Sequence, residues 1–435
     1  MFVSHLRLVN FRSYCDASVR FGEGLNVVVG QNATGKTNLL EGAWFALRGA
    51  SPRTRREEKL ITWGQRYTRV ELELDGSAAG VQRVDVAYAA GHGKRARWNG
   101  VEVPSQEDLR SRSQVFIFVP ESLLLVKGSP ARRRAHLDAF AAALDPQYAA
   151  AVRELQNALR QRNAQLTAVK HGASPAALDP WDVQFARAAV ELGRRRRALV
   201  EELGGLFSEV AAALAPAGGV FGLELTAQLA GVGYDEEALV AELRSRRPGE
   251  TSRGLSLFGP HRDDLRFVER SAAEEDGGAA APAAPAEDRG AVAPADGGVS
   301  VEDVLVTGPA CGPIELPRGG RDLRLFGSQG EQRAAVLALL LAEQRLAKAR
   351  TGLQGTLFLD DVMSELDDER RRLLVTMLAA AGQAIITTTN RQYFTAEELA
   401  QAAVIELPLD GSVGPDAPGP PPDEPGPAPP AETAL

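Results

Sequence analysis

The sequence predicts an α/β fold: a mainly parallel layer assembled from both ends of the chain, with a helical lobe inserted between them. Three observations predict it. A buried strand, a glycine-rich turn and a helix follow one another at residues 25–47. From Ser129 to about Leu214 the pattern is helical. After Gly254 the apolar runs T-L-F-L-D-D, A-I-I-T-T-T and V-I-E-L alternate with helices, as buried strands of a parallel layer do.

In chain order, the first hundred residues alternate short strands with turns: H-L-R-L-V, L-N-V-V-V, T-R-V-E-L-E-L, R-V-D-V-A-Y and A-R-W-N-G-V-E-V, the last with Asn99-Gly100 as a hairpin turn. The lobe follows, with helical runs around R-R-R-A-H-L-D-A-F, A-V-R-E-L-Q-N-A-L-R-Q-R-N and the stretch beginning at Trp181. The sequence gives no sign of a fixed-period repeat. Residues 269–303 hold nine acids and two bases among Ala, Gly and Pro, and 410–435 hold five acids and no base in a Pro-rich run. Neither can bury enough apolar surface to offset its ordering entropy, so both are expected to be disordered. Strands are expected to resume near D-V-L-V-T after the insertion.

Composition bounds the function. A chain of 435 residues, 44% hydrophobic, has room for two or three domains. It shows neither a membrane-spanning run nor a secretory leader, and a cytoplasmic protein is expected. Cys15 and Cys311 have no C-x-x-C spacing and no nearby His, so neither a disulfide framework nor a metal site is suggested. The net charge of -8 lies largely in the two acidic segments; without them the chain carries about +4. An anionic partner is compatible with that body.

The chemistry starts at G-Q-N-A-T-G-K-T: Gly30, Gln31, Asn32, Ala33, Thr34, Gly35, Lys36 and Thr37. In a phosphate-binding loop the glycines let backbone N–H groups wrap phosphate oxygens. Lys36 reaches the β- and γ-phosphates of ATP, and the Thr37 hydroxyl binds Mg2+. A carboxylate ending a neighbouring strand is needed for the metal's water shell, and Asp360 supplies it. Asp361 is placed to orient the attacking water as a general base, although either acid could instead cap a helix. More than three hundred residues separate the two elements. A turn at L-F-G-S-Q-G-E-Q-R, with Ser328 and Gly330 before a helix, offers a hydroxyl and free N–H groups to a γ-phosphate.

These blocks resemble the RecF family, bacterial DNA replication and repair ATPases related to the SMC proteins and the ABC superfamily. The resemblance includes L-R-L-V-N-F-R-S-Y, N-L-L-E after the phosphate loop, S-P-R-T-R-R-E-E-K-L-I-T-W-G, V-P-E-S-L-L-L-V-K-G-S-P-A-R-R-R-A-H-L-D, L-R-Q-R-N, Trp181-Asp182, G-P-H-R-D-D-L, G-S-Q-G-E-Q-R and D-D-V-M-S-E-L-D. It implies an ABC/SMC-type P-loop ATPase head from residues 1–118 and 255–409, and a helical arm from 119–254. It further implies ATP held between two subunits, with Ser328 and Gly330 acting in trans on the partner's phosphate loop, in an ATP-dependent homodimer. Ser364–Asp367 would be the loop crossing the seam. Arg53 would stand near the nucleotide unless it is a solvated surface charge; a direct role for His261 is weighed against a structural one. Thr389 or a neighbour would replace the switch histidine of many ABC heads, with slow, DNA-stimulated turnover.

The implied role is binding of single-stranded or gapped DNA to help load the recombinase during repair, fork maintenance and the SOS response, with RecR and RecO as partners and no membrane. Candidate DNA-facing cations are Arg53, Arg55, Arg56 and Lys59; Lys94, Arg95 and Arg97 beside Trp98; Arg132–Arg134; and Arg194–Arg197. Such clusters also serve as solvated faces or pair with Glu at i,i+4, as R-R-R-R-A-L-V-E-E is spaced to do. Two other classes share the motifs: the ATPase subunit of a membrane transporter, and a monomeric phosphotransferase that would leave the Ser328 turn unexplained.

Overall fold

The computed structural model describes residues 1–77, 80–214, 220–270 and 320–409. In chain order the elements are β1 (Phe2–Phe11), β2 (Tyr14–Arg20), β3 (Leu25–Val29), α1 (Lys36–Arg48), β4 (Tyr67–Asp75), β5 (Gln82–Ala89), β6 (Gly93–Trp98), β7 (Val101–Glu102) and β8 (Val115–Phe118). Helices α2 (Pro130–Leu144), α3 (Pro146–Lys170) and α4 (Asp179–Leu214) follow, then β9 (Val220–Thr226), α5 (Glu236–Arg253), β10 (Asp264–Arg270), β11 (Arg321–Asp322) and α6 (Gln329–Thr351). The last are β12 (Thr356–Asp360), α7 (Asp368–Ala381), β13 (Ala384–Thr388) and β14 (Ala403–Glu406). Two compact units emerge: Met1–Ser122 with the residues from Glu343 onward, and Leu123–Ala342.

The first unit carries two sheets. One has the order β14-β3-β13-β12-β8, every neighbour parallel, and draws its strands from both ends of the chain as expected. β12 and β13 are buried throughout, which is why they read as unbroken apolar runs rather than alternating ones. The other sheet, β2-β1-β4-β5-β6-β7, is antiparallel, and β4 and β5 alternate inward Val and Leu with outward charge. Asn99 and Gly100 both adopt positive φ between β6 and β7, the backbone a two-residue hairpin requires. Helix α1 buries Leu39, Leu40, Ala43, Phe45, Ala46 and Leu47 in a core shared by β1, β4, β5 and the parallel strands. Each such large side chain contributes roughly 1.5–3 kcal/mol. The helix stops at Gly49, which is left-handed at φ 64° and returns its N–H to the Phe45 carbonyl.

The second unit packs α2, α3, α4 and α5 with a small antiparallel sheet of order β11-β10-β9. Strand β10 confirms the expected run D-D-L-R-F-V-E and extends through Glu269 and Arg270, so those two residues of the expected insertion are strand. The remainder of that insertion, Cys311, the expected D-V-L-V-T strand and the 410–435 tail lie outside the described residues. Cys15 is exposed and unpaired as a thiol. No helix among the described residues is long and apolar enough to cross a membrane.

Candidate nucleotide site

The glycine-rich turn leaves β3 and enters α1 with Gly35 at φ 99°, open only to glycine. A Cβ on Gly35 would lie 2.6 Å from the Tyr14 hydroxyl, and one on Gly30 would lie 2.5 Å from Thr34 Oγ1. The turn is thus pressed against its neighbours without room for side chains at its two ends. Tyr14 donates to the Gly35 carbonyl at 3.1 Å, and burial holds its phenol well above the ordinary range. Gly30 N–H donates to the Thr388 carbonyl at 3.1 Å, pinning the turn's start to β13.

Lys36 is buried, and its ammonium donates to the carbonyls of Gly30 (2.6 Å) and Gln31 (2.7 Å). Burial lowers its pKa, while the carboxylates of Asp361 and Asp360 oppose the shift. Thr37 Oγ1 donates to Asp360 Oδ2 at 2.7 Å, so two residues 323 positions apart meet. Sheet order explains it: β3 and β12 flank β13, and the turn after β3 and the last residue of β12 emerge at the same end. On β13, Thr387 sits opposite Asp360 in register and donates to its Oδ1 at 2.7 Å. The hydroxyl–carboxylate pair, the turn with glycine at both ends and the Lys36 ammonium folded onto it are a donor set that fits a nucleotide with a divalent cation: Thr37 and Asp360 would hold the metal, and Lys36 the phosphates.

Asp361 is left-handed at φ 47°, a conformation Asp tolerates, and its N–H is held by the Thr387 carbonyl and hydroxyl. Its side chain caps no helix, and neither does that of Asp360. The nearby cap belongs to Asp367, which accepts from the Arg370 N–H at the start of α7. Thr389 is half-buried just beyond β13.

Three residues of this site carried no expected role. Glu41 is 1% exposed within α1 and accepts from two of the three guanidinium nitrogens of Arg12 (Nη2 at 2.7 Å and Nε at 2.9 Å), from the Ser51 hydroxyl and from Arg53 at 3.4 Å. An acid inside the apolar run L-L-E-G-A-W-F was the available signal for it. Arg53 also donates to Asn38 Oδ1 at 3.3 Å, so it stands beside the first turn of α1 and is not simply solvated. Thr387 and Tyr14 left no local signal, because sheet register and a close approach bring them in.

In the second unit, Ser328 and Glu331 form a reciprocal cap on α6. The Ser328 N–H donates to Glu331 Oε2 at 2.6 Å, and the Glu331 N–H donates to Ser328 Oγ at 3.2 Å. Of the hydroxyl and free N–H groups expected of this turn, the cap uses the Ser328 and Glu331 N–H groups and takes the Ser328 hydroxyl as an acceptor. Gln329 and Gly330 lie in the first turn of the helix, outside that pair. Burial works against ionisation of Glu331, but the Ser328 hydrogen bonds and Arg321 at 3.0 Å hold its carboxyl below the ordinary value.

A family model described as an AAA domain matches residues 5–164. The DNA replication and repair protein RecF of Acidothermus cellulolyticus is 38% identical over 277 residues, 61% of this chain and 74% of the relative. RecF of Halalkalibacterium halodurans is 32% identical over 378 residues, covering 85% of this chain and 87% of the relative. The chain belongs to the RecF family. A solved structure of RecF with ATP in the RecFOR pathway superposes with a TM-score of 0.70 at 24% identity, covering 91% of this chain and 93% of that one. An Smc head domain from Pyrococcus furiosus superposes at 0.51 and 17% identity, over 94% of each. Both share the ABC-type head fold.

Several RecF blocks prove to be parts of buried ion networks. Arg162 of L-R-Q-R-N is fully buried and donates to Asp182 (2.8 Å), Glu250 (2.6 Å) and Ser256 (2.7 Å), while Asn163 accepts from Ser256. Arg133 pairs with Asp264 of G-P-H-R-D-D-L at 2.7 and 2.8 Å, and Arg134 donates to the Asp263 carbonyl. His261 packs edge-on to Phe185 and shares a 3.0 Å hydrogen bond with the Ser256 carbonyl; burial lowers its pKa to about 4. It is a neutral structural imidazole.

These networks correct the DNA-facing candidates. Arg196 is buried against Asp138 and Asp263, Arg195 pairs with Glu191 and Asp145, and Arg197 pairs with Glu201 at i,i+4. Lys94 is bound by Glu57 and the Gly49 carbonyl. Arg55, Arg56, Lys59, Arg95, Arg97 and Arg132 remain exposed, and the exposed Trp63 (64%) and Tyr67 (47%) follow the first three in sequence.

Proposed function

We propose that this RecF-family chain is an ATP-dependent DNA-binding protein of recombinational repair and replication-fork maintenance. It binds single-stranded or gapped DNA in the cytoplasm and dimerises with ATP to help load the recombinase, with RecR and RecO as partners. The observation that carries the reading is the contact of Thr37 with Asp360 across β13, which joins phosphate loop and metal carboxylate in a head built from both chain ends. Lys36 binds the β- and γ-phosphates. Thr37 and Asp360 would hold Mg2+, which would offset the phosphate charge, and Asp361 would orient the attacking water in a slow hydrolysis that resets the clamp. Ser328 and Gly330 reach the γ-phosphate of a second copy.

The exposed cations Arg55, Arg56 and Lys59, with the exposed Trp63 shortly after them in sequence, suit a single strand, where phosphates meet charge and a base stacks on the indole. The relatives matched over most of their length are RecF proteins, which removes the basis for a transporter ATPase. The test is fluorescence anisotropy of labelled gapped DNA with and without ATP and Mg2+. Wild type should retain DNA only with ATP, and Lys36→Ala should lose that dependence. Equal DNA affinity with and without nucleotide would refute the reading.

A further inference from the structure

Among the described residues, the small sheet of the second unit ends on β9, which has β10 on one side only. The direction of its backbone groups follows from register. Phe221 lies opposite Glu269, Leu223 opposite Phe267 and Leu225 opposite Leu265. Glu269 also lies opposite Arg321 of β11, and a Cβ on Gly320 would lie 2.6 Å from the Glu269 carbonyl oxygen. That carbonyl therefore points to β11, away from β9. Opposed residues of an antiparallel ladder turn their polar groups inward together or outward together, so Phe221 points its own outward. Ser208 of α4 agrees, donating to the Phe221 carbonyl at 2.9 Å. Leu223 and Leu225 share this phase and direct their N–H and C=O groups to the same outer edge.

One helical turn before Ser208, where another side chain would cover the edge at Leu223, stands Gly204, with Gly205 next to it. A Cβ on either would meet nothing within 4 Å. Glycine is a poor residue for a helix interior, and neither packing nor backbone conformation requires it here. Both glycines line a cleft of about 710 Å³ together with Leu223, Leu225 and two guanidiniums, Arg197 and Arg270. Arg197 pairs with the exposed Glu201 and lies over the Tyr234 ring, and Arg270 has Glu224 at 3.9 Å; both are surface ion pairs, which exchange partners at little cost. Tyr234, under Arg197, holds a left-handed φ of 55°, which is costly for a bulky residue.

We propose that the outer edge of β9 is a strand-addition site for an extended segment of a partner protein. Its backbone pairs with Leu223 and Leu225, one face lies over Gly204 and Gly205, and its carboxylates meet Arg197 and Arg270. An alternating row of backbone donors and acceptors recognises an extended polypeptide; a small molecule or a duplex has no matching row.

The test is selection of a random twelve-residue peptide library on the full-length protein, followed by anisotropy titration of the enriched peptides and amide hydrogen exchange. The expected peptides alternate apolar residues with Asp or Glu and slow exchange at Leu223 and Leu225. Gly204→Leu should weaken them at least tenfold while leaving the thermal midpoint equal or higher, since it improves the helix, and Arg270→Glu should weaken acidic peptides selectively. No enrichment, undiminished binding to Gly204→Leu, or unchanged exchange at Leu223 and Leu225 would overturn the proposal. Enrichment only on a chain lacking residues 271–303 would also overturn it, by assigning the edge to this chain's own insertion.

Discussion

Asp360 has one hydroxyl on each carboxylate oxygen, Thr37 from the phosphate loop and Thr387 from β13. Replacing Thr387 by Val strips one oxygen of its donor in a buried setting, which costs about 1–3 kcal/mol. ATP affinity, measured with a fluorescent nucleotide, should fall about tenfold in Thr387→Val by the same principle, and Thr387→Ser should restore it. Gly35→Ala should abolish nucleotide binding, because it meets both a positive φ and the Tyr14 hydroxyl. His261 gives a pH dependence of defined sign. Its folded pKa of about 4 lies below the free value of 6.5, so between those limits the unfolded chain binds more protons. Its contribution to stability is complete above pH 6.5 and is lost as pH falls towards 4. Urea titrations at pH 7 and pH 5 should show the wild type losing about 2 kcal/mol more than His261→Gln. Lys36, Thr37 and Asp360 were legible in the sequence because each stands in a contiguous strand–turn motif. Thr387, Glu41 and Tyr14 were not, because their partners arrive through sheet register or helix packing across the chain.

Helices α3, α4 and α5 are joined by charge as much as by apolar contact. Arg162 on α3 bonds Asp182 on α4 and Glu250 on α5, and all three residues are fully buried. Arg162→Met would leave Glu250 buried without its cation, while Asp182 would keep Arg247, and should cost about 3–5 kcal/mol by urea denaturation. Arg195→Ala, at a partly exposed pair, should cost under about 1 kcal/mol. This contrast explains what the arginine runs concealed. Their one-dimensional spacing fitted a DNA-facing stripe or i,i+4 pairing equally well, and only the third dimension shows Arg133 and Arg196 turned inward. The strands were more legible, since burial of one face leaves alternation in the sequence and burial of both leaves an unbroken apolar run. Strand β8, V-F-I-F, is buried throughout like β12 and β13 but was not foreseen, because so short an apolar run reads equally as a buried helix segment.

For the whole molecule, the central claim is that one chain holds half of its nucleotide site. The Ser328 turn lies in the second unit at the start of α6, held by its own reciprocal cap, and the phosphate loop lies in the first. The proposal assigns that turn to the nucleotide of another copy. Light scattering after size exclusion, with ATP, Mg2+ and gapped DNA, measures this most directly. The account predicts a doubled protein mass for the wild type and a monomer mass for both Lys36→Ala and Ser328→Arg. A wild type that stays monomeric with ATP and DNA, or a Ser328→Arg variant that dimerises normally, would contradict it.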